Sequence, residues 1–270
     1  MKKVQIQDFM DYRYLGSLQV SPDQQHAVFT VITADREEDK YPGNLWLLDL
    51  QTKRTRQLTS GNEEKKAIWW DNDTLVFTGC RDPKLKEKTA EGESMTVFYK
   101  LNIHGGEATE WFRLAMPVGS FQKVNDNQLI LSVADRADGM NDFECKNDDE
   151  KKKWKEERDS HKDYEWFDEI PFWANGQGIT NMKRSRLYLL DLDSQKTTPI
   201  SEPSANASIS HIQDNKLLYI SNPMNSVREI PSSLHQFDCT TKQDLTLIPD
   251  HEVNVSWAFY IKHKIIAAIS

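Results

Sequence analysis

Short apolar runs recur along the chain, each bounded by a polar turn. One series reads Ala27-Val28-Phe29-Thr30, Leu75-Val76-Phe77-Thr78, Leu129-Ile130-Leu131-Ser132, Leu217-Leu218-Tyr219-Ile220 and Ile265-Ile266-Ala267-Ala268, at offsets of 48, 54, 88 and 48 residues. A second series sets an Asp or Asn inside the run and a polar turn after it. It reads Leu48-Asp49-Leu50, Leu101-Asn102-Ile103, Leu190-Asp191-Leu192 and Phe237-Asp238-Cys239, at offsets of 53, 89 and 47. The two series share their spacing, including the long third interval. A further polar turn opens each unit: Ser21-Pro22-Asp23, Asp71-Asn72-Asp73, Asn125-Asp126-Asn127 and Gln213-Asp214-Asn215.

Strand, turn, strand, connection, strand, turn, strand in roughly 40–50 residues is the repeat of a β-propeller blade. Near-continuous apolar runs such as Leu45-Trp46-Leu47-Leu48 fit blades stacked on both faces, where strict alternation is not required. A β-sandwich also strings short strands between turns, but it has no reason to repeat its turn chemistry at a fixed period. The prediction is an all-β chain of about four and a half four-stranded blades in an incomplete ring. Blades are expected at about 15–60, 61–113, 114–201 and 202–249, and the first two strands of a fifth at 250–270. An unfinished ring would leave sheet edges and an apolar blade face open, so a longer parent protein is expected.

The third unit carries an extra segment, expected at about 137–183. Asp138 to Glu169 hold 13 acids and 7 bases, most of the chain's net charge of −8. Asn147 followed by Glu150 predicts a capping box and a short exposed helix, with acids leading and bases trailing as the helix dipole prefers. The segment after it, Tyr164 to Gly178, interleaves five aromatics with three acids. Such a surface is costly unless it packs on something or binds something.

Composition narrows the function classes. With 38% apolar and 28% charged residues in 270, the chain is globular rather than disordered or collagen-like. Its acidic balance argues against nucleic acid or an anionic membrane as partner, and its apolar runs are too short to span a bilayer. Three cysteines, Cys80, Cys145 and Cys239, fit neither a disulfide framework nor a zinc site, and a cytoplasmic location is expected. No Gly-x-Ser-x-Gly elbow is present, and no zinc-peptidase helix. Asp135, Asp138 and Asp142 do not complete a calcium loop. No metal or other cofactor and no catalytic residue is expected in this chain. A glycosidase would need a symmetric pair of carboxylates, and none recurs in the blades.

Asp8-Phe9-Met10-Asp11-Tyr12-Arg13-Tyr14-Leu15-Gly16, the Ser21-Pro22-Asp23 turn, Tyr41-Pro42-Gly43-Asn44-Leu45-Trp46 and Arg56-Gln57-Leu58-Thr59 resemble the N-terminal propeller of the prolyl oligopeptidase family. The most specific piece is Asp168-Glu169-Ile170-Pro171-Phe172-Trp173-Ala174-Asn175-Gly176-Gln177-Gly178 leading into Arg184 to Asp191. It is similar to the bacterial acylaminoacyl-peptidase and dipeptidyl-peptidase branch. The resemblance implies a seven-bladed propeller that caps an α/β-hydrolase domain bearing Ser, Asp and His, limits access to small peptides and helps to bind the substrate's N-terminal end. No position here matches that triad. The implied partners are a peptide substrate and the hydrolase domain of the same full-length chain, with homo-oligomerisation left open. Related dipeptidyl peptidases hold the substrate amine with acids of a propeller insertion, which makes Glu165, Asp168 and Glu169 candidate substrate-binding residues alongside Phe172, Trp173, Asn175 and Arg186. The competing expectation is that Glu169 pairs with Arg186 to hold the insertion while Phe172 and Trp173 pack on a blade. A non-enzymatic propeller that binds protein partners is the alternative function.

Overall fold

A computed structural model describes residues 3–64, 66–161, 163–164, 166–175, 177–249 and 253–270. The chain is all-β, with four four-stranded propeller blades, and divides into two compact units, Met1–Ala115 and Met116–Ser270. In the first unit, β1 (Tyr14–Val20), β2 (His26–Ile32), β3 (Gly43–Asp49) and β4 (Thr55–Gln57) form one antiparallel meander. β5 (Ala67–Trp69), β6 (Thr74–Gly79), β7 (Thr96–Asn102) and β8 (Thr109–Leu114) form the next. Val28, Leu45 and Leu47 of one blade pack with Leu75, Phe77, Tyr99 and Leu101 of the other. A helix that the repeat pattern does not announce, α1 (Pro83–Ala90), sends Leu85 into this core. Its start is nonetheless written locally, since the Asp82 side chain accepts the Lys84 N–H and Pro83 takes the first helical position, where its missing donor costs nothing.

In the second unit, β9 (Val118–Asn125) and β10 (Gln128–Arg136) precede an insertion holding α2 (Asp148–Ser160) and a small hairpin, β11 (Trp173–Ala174) with β12 (Gly178–Ile179). β13 (Lys183–Asp191) and β14 (Lys196–Pro199) complete that blade. The next consists of β15 (Ala205–Gln213), β16 (Lys216–Asn225) with the short β17 (Val227–Arg228) at its end, β18 (Ser233–Asp238) and β19 (Asp244–Ile248). A two-stranded sheet, β20 (Val255–Ile261) with β21 (Lys264–Ile269), follows.

The apolar runs belong to strands buried on both faces. Along β16, Leu217 and Tyr219 pack with Ile130, Leu187 and Leu189 of the preceding blade. Leu218 and Ile220 point the other way, onto Val255 and Ala258. Successive side chains of a strand leave opposite faces, so a strand between two neighbours must be apolar at every position.

The repeated Asp or Asn has an equally local cause. In each blade it ends the third strand, and its side chain closes the turn into the fourth. Asp49 Oδ1 accepts the Gln51 and Thr52 N–H groups at 2.9 and 2.7 Å, Asn102 accepts that of His104 at 2.8 Å, Asp191 that of Ser194 at 2.9 Å, and Asp238 those of Thr240 and Thr241 at 2.9 Å each. The Asp214-Asn215 turn has φ of 50° and 59°, the left-handed pair a two-residue type I′ hairpin demands.

Candidate functional site

β10 and β13 pair without interruption from Gln128 opposite Asp191 to Arg136 opposite Lys183. The insertion therefore leaves and re-enters the blade at cross-strand neighbours, as an oversized hairpin loop that leaves the blade register intact.

Two buried polar nodes tie it down. In the first, Glu169 receives both terminal nitrogens of Arg184, Nη1 at 3.1 Å from Oε2 and Nη2 closer on Oε1, and also the Met182 N–H at 2.8 Å. The two side chains are only 3% and 2% exposed. Burial works to raise the Glu169 carboxyl, but the Arg184 and Met182 hydrogen bonds and the guanidinium charge outweigh it and hold the group below the usual range. Arg184 Nε continues to the Ser204 carbonyl at 3.2 Å, so one guanidinium joins the insertion, β13 and the segment entering β15. In the second node, buried Asp135 accepts from Tyr188 Oη at 2.6 Å, Arg186 Nη1 at 3.2 Å and Asn141 Nδ2 at 2.6 Å. Burial, then the Asp135 contact, pushes the Tyr188 hydroxyl well above its usual range.

The expected Glu169–Arg186 pair is thus corrected to Glu169–Arg184. The two arginines share one face of β13, a pleat apart. Arg184 lies nearer the end where the insertion returns, and Arg186 is taken by Asp135.

The helix also carries a correction. Asn147 Oδ1 accepts the Glu150 N–H at 2.9 Å, as a cap should, but the Glu150 carboxylate reaches back to Lys146 N at 2.8 Å and not to the cap residue's own N–H. Asn147 Nδ2 holds the other Glu150 oxygen at 3.0 Å and turns the carboxylate one residue further.

Between α2 and the aromatic segment lies a cleft of about 490 Å³ lined by Trp154, Trp166, Met140, Met182 and several charged groups. Trp154 is fixed by its Nε1–H to the Met140 carbonyl at 3.2 Å, with Arg158 stacked 4.9 Å from its ring centre. Asn181 clamps the opposite strand of the loop, donating to Trp166 O at 2.7 Å and accepting from Asp168 N at 3.3 Å. Two carboxylates line this cleft. Asp138 is engaged by Arg136 Nε at 3.1 Å, whereas exposed Asp168 makes no ion pair among the described residues.

The remaining candidates spread out. Phe172 stacks on Phe167 at 4.5 Å between ring centres and is 42% exposed, and Trp173 on β11 is 56% exposed. Both stay at the surface of the insertion. Asn175 is exposed in the β11–β12 turn, Arg186 belongs to the Asp135 node, and Glu165 lies outside the described residues. Sequence reasoning missed Arg184, Asn181 and Lys183 as site residues. It met Asp135 only as a failed calcium ligand, since two of its three partners, Arg186 and Tyr188, lie 51 and 53 residues away.

Comparison with known proteins bears on this geometry. No family model matches the chain. Its structure superimposes on the acylaminoacyl peptidase of Pyrococcus horikoshii with a TM-score of 0.60 over 92% of this chain and 34% of that one, at 11% identity. The chain has the propeller fold of acylaminoacyl peptidases. The β-propeller domain of the trilobed protease from Pyrococcus furiosus matches over 95% of this propeller and 65% of that chain, with a TM-score of 0.54 and 15% identity. In sequence, the uncharacterized peptidase YuxL of Bacillus subtilis (strain 168) is 24% identical over 190 residues, which is 70% of this propeller and 26% of that protein. The propeller thus spans about a quarter of that curated relative. No helix among the described residues is long and apolar enough to cross a membrane.

Proposed function

We propose that this chain is the substrate-gating and recognition propeller of a cytoplasmic serine exopeptidase of the prolyl oligopeptidase family, one that releases dipeptides or acylated residues from small peptides. The observation that carries this reading is the match to a bacterial peptidase along 70% of the chain. In this reading the propeller supplies no reacting atom. The nucleophile, base and oxyanion donors belong to an α/β-hydrolase domain, and the insertion orients the peptide. Asp168, a carboxylate without an ion pair among the described residues, lines the cleft that Trp166 also lines and is suited to a free amine. Glu169 is spent on Arg184.

The full reading frame and the 270-residue chain, each purified, test this. The full frame is expected to encode Gly-x-Ser-x-Gly and to hydrolyse aminoacyl or dipeptidyl chromogenic substrates, while the chain alone is inert. Asp168→Asn in the full enzyme is expected to raise KM about tenfold for free-amine substrates, the worth of one charge-assisted hydrogen bond, and to leave acylated ones unchanged. Serine-dependent turnover by the 270 residues alone, or a reading frame without a hydrolase domain, defeats the reading.

A further inference from the structure

A second cleft, of about 460 Å³, opens between the β11–β12 hairpin, the insertion ends of β10 and β13, and the β16–β17 turn. Its charged lining is Lys183, Arg184 and Arg228, with no carboxylate on the wall. This is unexpected in a chain of net charge −8 whose insertion is its most acidic part. Arg184 is neutralised by Glu169, but Lys183 and Arg228 have no ion pair among the described residues.

Both free cations sit on paired backbone. Lys183 begins β13 opposite Arg136, and its N–H bonds the Thr180 carbonyl at 3.0 Å. Arg228 lies opposite Met224, and its N–H bonds the Ile170 carbonyl at 2.9 Å. The remainder of the wall mixes neutral hydrogen-bonding groups such as Gln177, Ser185 and Asn206 with apolar Pro171 and Met224. Lys183 also borders the tryptophan-lined cleft, but on this wall it and Arg228 stand with no carboxylate beside them, and a cleft lined by one sign of charge draws an anion. The backbones of both cations are already ordered, so binding has only the two side chains to order. The neutral lining suits peptide amides, and the volume admits a few residues of peptide.

We infer that this cleft binds the carboxylate of a short peptide, held between Lys183 and Arg228. The inference rests on the peptidase reading above, of which it specifies the substrate class. The carboxylate belongs either to the peptide's C-terminus or to an acidic side chain. Three fluorescently labelled pentapeptides separate these sources: a neutral sequence with a free C-terminal acid, its C-terminal amide, and the amide carrying one internal Glu. Fluorescence anisotropy with the 270-residue chain is expected to show the free acid binding about tenfold tighter than the plain amide. Equal tightness for the Glu-containing amide assigns the contact to any carboxylate, and weak binding of it assigns the contact to the C-terminus.

Lys183→Gln and Arg228→Gln, at exposed positions, are each expected to abolish the preference while the thermal transition stays in place. If acid and amide bind alike, or if both variants keep the preference, the carboxylate site is overturned and the peptidase reading stands. If none of the three peptides binds, the site is overturned as well. A reading frame without a hydrolase domain removes the peptidase reading whatever the anisotropy shows.

Discussion

The β10–β13 pair is two structures in one. Towards the blade interior, Leu129, Ile130, Leu131, Leu187 and Leu190 are completely buried apolar side chains. At the other end, a few residues along the same strands, Asp135, Arg184 and Arg186 are buried or half-buried in hydrogen-bonded ion pairs, Arg184 with Glu169 of the insertion and Arg186 with Asp135, which also holds Asn141 of the insertion. The apolar half is held by area removed from water and tolerates any filling of similar shape. The polar half gains little net energy from its charges, because desolvation offsets their attraction, yet it penalises any single missing partner. The contrast teaches that the blade is interchangeable in detail and the insertion root is not.

The largest expected effect tests that contrast directly. Arg184→Ala strands Glu169 as a buried charge and is expected to cost about 3–5 kcal/mol, whereas Leu131→Ala leaves a cavity and costs about 2–5 kcal/mol. The distinction lies in repair. Arg184→Met combined with Glu169→Leu is expected to regain most of the stability in urea titrations, and a double variant as weak as Arg184→Ala breaks the comparison. Acid sharpens it next. Glu169 is held below its usual value, so its contribution is fully present above the unfolded-state value of about 4.3 and is lost as pH falls below that, through the folded value. Glu169→Gln is expected to flatten the acid-side decline of stability, and Leu131→Ala to lower stability equally at every pH. The smallest effect belongs to the helix. Asn147→Ala is expected to cost α2 about 1 kcal/mol, seen as faster amide exchange in residues 148–160 with the blade amides unchanged. Faster amide exchange in β10 or β13 as well would tie the helix to the blade after all.

Much of this was readable beforehand, for reasons that differ by distance. The Asp and Asn turns are legible because acceptor and donor are two or three residues apart, as at Asp49 with Gln51 and Thr52. The cap of α2 is legible on the same ground, and only its last hydrogen bond fell one residue away from expectation. For Glu169 the sequence leaves substrate binding and a structural pair side by side, and even in the second reading the partner is Arg184 and not Arg186, because sequence spacing does not distinguish two arginines on one face of one strand. The role of Asp135 was hidden by the length of the insertion. Neither cleft was legible, since each is lined from segments far apart in the chain, Trp154 with Trp166 and Met182 in one case and Lys183 with Arg228 in the other.

From the order of residues alone came the repeat, the blade strands and the turns between them, because each depends on alternation, two-sided burial or a hydrogen bond within one turn. Which arginine meets Glu169, which carboxylate of the tryptophan-lined cleft has no ion pair among the described residues, and that Lys183 and Arg228 line one cleft were decided only when β13, β17 and the insertion were brought together. Electrostatics and cavities depend on distances through space, and separation along the chain does not determine those distances.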